Sequence, residues 1–397
     1  MVCHCLQIPV HKLIVILVAI AVIYSTLIMS MTKQKGTQSL TRGDNDGTQH
    51  GHLVRKSMDP IRNEILPIHA VSIDDVSPCY LYSKKGEQPK DTKKQIKLGC
   101  KRRLPDAIII GVKKCGTYTL QNFLDIHPQL EATAGAKFQT GGLSVEESSL
   151  AWRQLMPLTT PFQKTVADFP GFIDRVTLLG HIERNITEAK GLKIIVILRD
   201  PVKRAISDYV HVSNIVAHND PSTSKHVRYR YEMITDNRGV QIEMKNITVF
   251  KRHYELLGNF ENTIKTKEGS LNERHPLIKK GIYLKYIQDL FRVIDKRKVL
   301  ILDGDKFKTD PVSVLRKVEK FMGLSRFFLG EHFRYEEDKG FYCPDIPERP
   351  DRYCMGARKG RKHPAISNRT LEELYSFYKP YNNRLAKFLN QTFAWIE

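Results

Sequence analysis

The chain has 397 residues, 41% of them hydrophobic, and a formal net charge of +20. That composition excludes a wholly disordered polypeptide and leaves room for one large domain or two small ones. A positive surplus of this size predicts a polyanionic partner: nucleic acid, an anionic membrane or a sulfated polysaccharide.

The first element is an apolar run, Leu13 to Met31, with no charged residue. Its nineteen residues match the hydrocarbon core of a bilayer. Lys12 precedes it, and Lys33 and Lys35 follow. A cleaved signal peptide would have a shorter apolar region and a small-residue cleavage site. The run therefore reads as an uncleaved anchor, with residues 1–12 as a cytoplasmic tail and the remainder lumenal. Four sequons support a lumenal body: Asn185-Ile-Thr187, Asn246-Ile-Thr248, Asn368-Arg-Thr370 and Asn390-Gln-Thr392. Cys3 and Cys5 fall on the cytosolic side and are candidates for acylation. In an oxidising lumen Cys343 and Cys354 are a plausible disulfide, and Cys79 and Cys100 a second, which leaves Cys115. No Cys/His cluster has zinc spacing.

Residues 32–103 are polar and charged and read as a stem, ending in the basic stretch Lys93 to Arg103. From Leu104 the pattern becomes globular. Asp106 to Gly111 is a buried strand, followed by a helix over Thr117 to Ile126. Lys193 to Pro201 is a second buried strand, and Val202 to Val212 a helix with Pro201 near its first turn. A helix over Gly281 to Ile294, a strand over Lys298 to Asp305 and a helix opening at Asp310-Pro311 and running to Met322 follow. Arg369 to Leu389 is a long terminal helix that Pro380 is expected to interrupt. Buried strands alternating with helices predict an α/β fold with a central parallel sheet flanked by helices.

Three constellations carry chemistry. The first is Gly111-Val-Lys-Lys-Cys-Gly-Thr-Tyr-Thr-Leu120, directly after a strand. Backbone N–H groups at a helix start attract phosphate, Gly116 lets the backbone come close, Lys114 adds charge and Thr117 offers a hydroxyl. Gly111 and Gly116 have the spacing of an NTPase loop, but Thr117 stands where its Lys should be, which argues against a metal-dependent NTPase. The bland alternative is an ordinary strand-to-helix turn. The second constellation is Ile197 to Tyr209, where Arg199 ends a strand and Ser207 follows on a helix. Together they form a second phosphate clamp at the carboxyl edge of the sheet, unless Arg199 is merely paired with Asp200 or Asp208. The third runs from Lys339 to Pro364. Phe341 and Tyr342 can flank a base, a Cys343–Cys354 bridge would brace the loop, and Lys359, Gly360, Arg361, Lys362 and His363 form a cationic turn. The alternative there is a solvated basic loop.

Together these segments resemble the sulfotransferases that use 3'-phosphoadenosine 5'-phosphosulfate, and within them the heparan sulfate glucosamine 3-O-sulfotransferases. The resemblance runs from about Leu104 to Glu397 and includes Arg103-Leu104-Pro105, His127-Pro128, Leu150-Ala151-Trp152, Met156-Pro157, Gly281-Ile282-Tyr283, Gly340-Phe341-Tyr342-Cys343 and Phe393-Ala-Trp395. It implies a P-loop-like sulfotransferase fold over residues 104–397 and a single-pass type II Golgi membrane protein. It implies sulfuryl transfer to the 3-OH of glucosamine in heparan sulfate, with no metal and no nucleic-acid partner. The loop Lys114, Cys115, Gly116, Thr117 and Tyr118 would grip the 5'-phosphosulfate, and Lys114 would stabilise the leaving phosphate. Arg199 and Ser207 would hold the 3'-phosphate, and Lys359 to Arg361 would close over the donor; the residues themselves add Tyr342, Lys362 and His363 as donor-binding candidates.

The acceptor side departs from the family pattern. The family's catalytic Glu falls on Ala136, the Arg after its loop Thr on Tyr118, the Lys of its Glu-Lys-Thr-Pro segment on Asp168, and an acceptor-side Gln on His211. Two readings follow. In one, Asp168 supplies the carboxylate, with Lys137 nearby as the other half of a swapped pair; Glu131, Glu146 and Glu147 are weaker candidates. In the other, the chain binds donor and sulfated glycan without turnover. A chain that lost the true segment is a third, non-biological reading.

Overall fold

The structure is a computed structural model. It describes residues 99–134, 163–185, 191–219, 256–346 and 363–396, with short pieces at 96, 152–154, 156–160, 233–235, 241–243, 254 and 354. All of them belong to the unit Asp59–Glu397. The expected anchor, tail and most of the stem lie outside the described residues. Among the described residues no helix is long and apolar enough to cross a membrane.

Five strands form the central sheet: β1 (Ala107–Gly111), β2 (Leu130–Ala134), β3 (Lys164–Asp168), β4 (Lys193–Leu198) and β5 (Val299–Asp303). Their order is β2-β3-β1-β4-β5, and every pairing is parallel. A parallel sheet is covered on both faces, so its inner strands read as continuous apolar runs. Accordingly, all of β1 and all but the first residue of β4 are buried. Strand order reverses at β1, which has β3 on one side and β4 on the other. The carboxyl end of such a switch point is a crevice, because the two following connections leave in opposite directions.

The principal helices are α1 (Thr117–Leu124), α2 (Val176–Asn185), α3 (Pro201–Asn219), α4 (Tyr283–Val293), α5 (Gly304–Thr309), α6 (Pro311–Met322) and α7 (Asn368–Leu389). The sheet packs with Leu120, Phe123 and Leu124 of α1, Leu179 of α2, Ile287 and Leu290 of α4 and Leu315 and Val318 of α6 in one core. A second cluster joins Val202, Ala205 and Val212 of α3 to Leu374 and Tyr378 of α7. Outside the sheet, Phe333–Glu336 (β6) and Phe341–Pro344 (β7) form an antiparallel hairpin.

The differences from the sequence reading have local causes. Strand β5 stops at Asp303 rather than Asp305, because the Asp303 carboxylate accepts from the backbone N–H groups of Asp305 and Lys306 and caps α5. Helix α3 continues past Val212 to Asn219, with Ile215 extending its buried face. Pro380 does not interrupt α7, which runs unbroken through it. Thr370, Leu374, Tyr378, Asn382 and Leu385 anchor one face on both sides of the proline. Pro380 and Ser376 are on the exposed side, where water can take the carbonyl that the proline leaves unbonded. Strands β2 and β3 carry no strong signal and were not anticipated.

Candidate functional site

The crevice at the switch point is built from two arms. The first leaves β1. Val112 N–H donates to the Ile197 carbonyl at 2.9 Å, which pins the loop start to β4. Lys114 then takes φ 74°, a left-handed conformation uncommon for a side-chain-bearing residue. Gly116, at φ 106°, is the residue before α1. Together they turn the chain from β1 into α1, so that the start of that helix stands at the carboxyl edge of the sheet, where a helix N-terminus favours anions. Thr117, the first helical residue, is buried, while Tyr118 is exposed. Lys114 is half-buried.

The second arm leaves β4. Arg199 lies between β4 and α3, and Ser207 is half-buried in the second turn of α3. The Asp200 carboxylate accepts from Val202 and Lys203 N–H and so caps α3. Arg199 is paired with neither Asp200 nor Asp208. Its Nε lies 3.4 Å from Oδ1 of Asp305, on α5. Asp208 instead faces Arg204 at 3.1 Å, with both side chains fully buried, and Lys113 at 3.2 Å.

Two residues fasten the arms together. The Tyr283 hydroxyl donates to the Arg199 carbonyl at 2.8 Å and lies 3.7 Å from Cys115 Sγ. Cys115 is buried, and burial pushes its thiol up to about 11 against the opposing pull of Arg204. Gly304 fills the remaining gap. A Cβ there would stand 2.6 Å from the Cys115 carbonyl and 2.8 Å from that of Leu198. Neither Gly304 nor Asp305 was anticipated, because the sequence reading ran β5 through both.

His363 joins this cluster from beyond the basic turn. His363 is exposed overall, yet partial desolvation of its ring disfavours the charged form, and Arg199, Lys114 and Lys308 add like-charge repulsion. The predicted Lys114, Arg199 and His363 are thus close enough to repel one another electrostatically, and Lys308 of α5 adds to that repulsion. Lys359, Gly360, Arg361 and Lys362 lie outside the described residues. Cys343 and Cys354, which flank the stretch leading to them, are joined as expected, with Cα atoms 4.7 Å apart. Cys100 is also disulfide-bonded, while Cys79 lies outside the described residues. Tyr342 is half-buried on β7, its ring edge-on to Tyr335 at 5.2 Å.

On the acceptor side, Asp168 is the last residue of β3, buried, in register with Ile109 of β1 and Ala134 of β2. It thus sits at the same carboxyl edge as the loop. Glu131 does not: it is at the start of β2, buried, with Oε1 accepting from Gln163 Nε2 at 3.3 Å. That placement removes it as a candidate base. Ala136, Lys137, Glu146 and Glu147 lie outside the described residues, and His211 is half-buried on α3. Among the described residues no group of three His, Cys, Asp or Glu is placed to hold a metal ion.

An electropositive crevice with helix-start N–H groups on one arm and an Arg on the other suits a ligand with two separated anionic groups. The chain is also similar to known proteins. The sulfotransferase domain family matches residues 104–387. Heparan sulfate glucosamine 3-O-sulfotransferase 3B1 of Homo sapiens is 31% identical over 295 residues, 74% of this chain and 65% of that protein. Heparan sulfate glucosamine 3-O-sulfotransferase 6 of Homo sapiens is 27% identical over 298 residues, 74% of this chain and 75% of that protein. This chain thus spans just under two thirds of the length of the first of these relatives. A solved sulfotransferase from Alicyclobacillus acidocaldarius covers 72% of this chain and 96% of its own at 18% identity, with a TM-score of 0.44, too low to add to the argument. The resemblance read from the motifs is borne out: the chain belongs to the sulfotransferase family, and its relatives there are heparan sulfate glucosamine 3-O-sulfotransferases.

Proposed function

We propose that the chain is a type II Golgi membrane enzyme that moves a sulfuryl group from 3'-phosphoadenosine 5'-phosphosulfate to the 3-OH of glucosamine in heparan sulfate. The observation that carries this reading is the two-armed crevice, with Lys114 and the α1 start on one arm and Arg199 on the other. The 5'-phosphosulfate rests on the α1 N–H groups, Thr117 and Lys114. The 3'-phosphate rests on Arg199 and Ser207, with Tyr342 beside the base and Lys359 to His363 closing over it. The acceptor hydroxyl loses its proton to Asp168 as its oxygen bonds to sulfur. The bond between sulfur and the phosphate oxygen breaks, and Lys114 meets the negative charge that develops there. The apolar run Leu13 to Met31 supports the anchor, and the sequon residues Asn368 and Asn390 are both exposed, as glycosylation in the lumen requires. The net charge of +20 supports a sulfated polysaccharide as acceptor.

A second reading rests on one specific observation: Ala136 occupies the position of the family's carboxylate. In that reading the protein holds donor and glycan without transfer.

The lumenal part should be stabilised against heating by 3'-phosphoadenosine 5'-phosphate and should transfer labelled sulfate to heparan sulfate. Asp168→Asn should lower transfer by roughly a hundredfold or more, the usual worth of a general base, while keeping the thermal shift. Stabilisation without transfer selects the second reading. Absence of stabilisation overturns both.

A further inference from the structure

We infer that Asp305 is a positioning residue that orients Arg199 for the donor's 3'-phosphate; this rests on the donor site proposed above.

The ion pair runs from Asp305 Oδ1 to Nε of Arg199 at 3.4 Å. An anion at Nε leaves the opposite edge of the guanidinium, between its two terminal nitrogens, for a second partner. That edge carries two parallel N–H donors and can grip phosphate in a two-pronged fashion. The other carboxylate oxygen, Oδ2, accepts the N–H of Asp200 at 2.8 Å. Asp305 is therefore tied to the backbone immediately after the arginine it faces, and cannot follow the guanidinium if the side chain swings.

Helix α5 is itself fixed from three directions. The Asp305 N–H donates to Asp303 Oδ1 at 2.9 Å. Oδ2 of Asp303 accepts from Ala394 N–H at 2.6 Å. Gly304 sits against the carbonyls of Cys115 and Leu198, where no side chain fits. Asp305 thus stands on a rigid support wedged between the two arms. A long, freely rotating arginine loses rotamer entropy when it binds phosphate. Holding its Nε beforehand removes part of that loss. The arrangement also bears on donor choice, because only nucleotides with a 3'-phosphate meet Arg199.

The test compares adenosine 3',5'-bisphosphate with adenosine 5'-monophosphate by calorimetry, on wild type, Asp305→Asn and Asp305→Glu. The expected result is a loss of roughly tenfold in affinity for the bisphosphate in Asp305→Asn, the usual worth of one charge-assisted contact, with no change for the monophosphate. Asp305→Glu, which keeps the charge, should recover part of the loss. A structural defect in α5 would weaken both ligands equally and would overturn the inference, as would unchanged or tighter bisphosphate binding in Asp305→Asn. Wild type that does not prefer the bisphosphate would instead refute the donor site itself.

Discussion

Among single residues, His127 ties stability to pH most directly. Its ring is fully buried, edge-on to Phe327 and Phe328. Nδ1 accepts from the Gln129 N–H at 3.1 Å and Nε2 faces the Ser325 carbonyl at 3.0 Å. One nitrogen accepting and the other donating is the pattern of a neutral imidazole. Burial lowers its pKa from 6.5 to about 4, against the pull of the Ser325 carbonyl. The unfolded chain takes up this proton near 6.5, and the folded protein only near 4. The contribution is therefore complete above 6.5 and is lost as pH falls from 6.5 toward 4, to an extent of about 3 kcal/mol. Urea unfolding at pH 7 and pH 4.5 measures it. Wild type should lose more stability between those pH values than His127→Gln, which cannot take up the proton. Equal losses would show that His127 does not drive the acid sensitivity.

At the scale of elements, the site depends on how closely α5 docks between β1 and β4. Gly304→Ala places a methyl group 2.6 Å from one carbonyl oxygen and 2.8 Å from another, and neither backbone can yield cheaply. We expect a destabilisation of about 2 kcal/mol and a weaker thermal shift with 3'-phosphoadenosine 5'-phosphate, measured by denaturation and by ligand-induced melting. The contrast is Gly323→Ala, at the C-terminal cap of α6, where a Cβ meets no atom within 4 Å but the left-handed φ of 69° is strained. That variant should lose about 1 kcal/mol with the ligand response intact.

The same contrast explains what was legible in the sequence. Strands β1, β4 and β5 announce themselves because apolar side chains fill their buried faces. Strand β3 is hidden because its buried Thr165 and Asp168 are polar. Thr165 is satisfied by Asp106, whose Oδ2 lies 2.8 Å from its N–H and 3.2 Å from its hydroxyl. The glycine-flanked loop and Arg199 were readable because their chemistry is local to one segment. Asp305 was not, since its partner is 106 positions away and meets it only once β5 has stopped early and α5 has folded back. An acceptor-side base is the least legible part, because it is defined by the departures at Ala136 and Asp168 rather than by a pattern.

At the scale of the whole molecule, the chain end reaches back to the chemistry. Trp395 packs edge-on against Tyr283 with ring centroids 6.0 Å apart, and lies tilted against Phe393 at 5.0 Å. Tyr283 in turn touches both arms of the crevice. Cys115, Arg199, Tyr283 and Trp395, distant in sequence, thus converge on one spot, and the crevice depends on the chain end as well as on its own loops. Cys115 lies at that point of convergence, sealed beneath Tyr283 with its thiol protonated at neutral pH. The consequence is a built-in gauge of breathing. An alkylating reagent reaches Cys115 only when the two arms part, so the labelling rate, followed by mass spectrometry at that residue, counts opening events. Wild type should label far more slowly than the urea-unfolded chain, and adenosine 3',5'-bisphosphate should slow it further by bridging the arms. Labelling that ignores the nucleotide would mean that the arms separate independently of what lies between them.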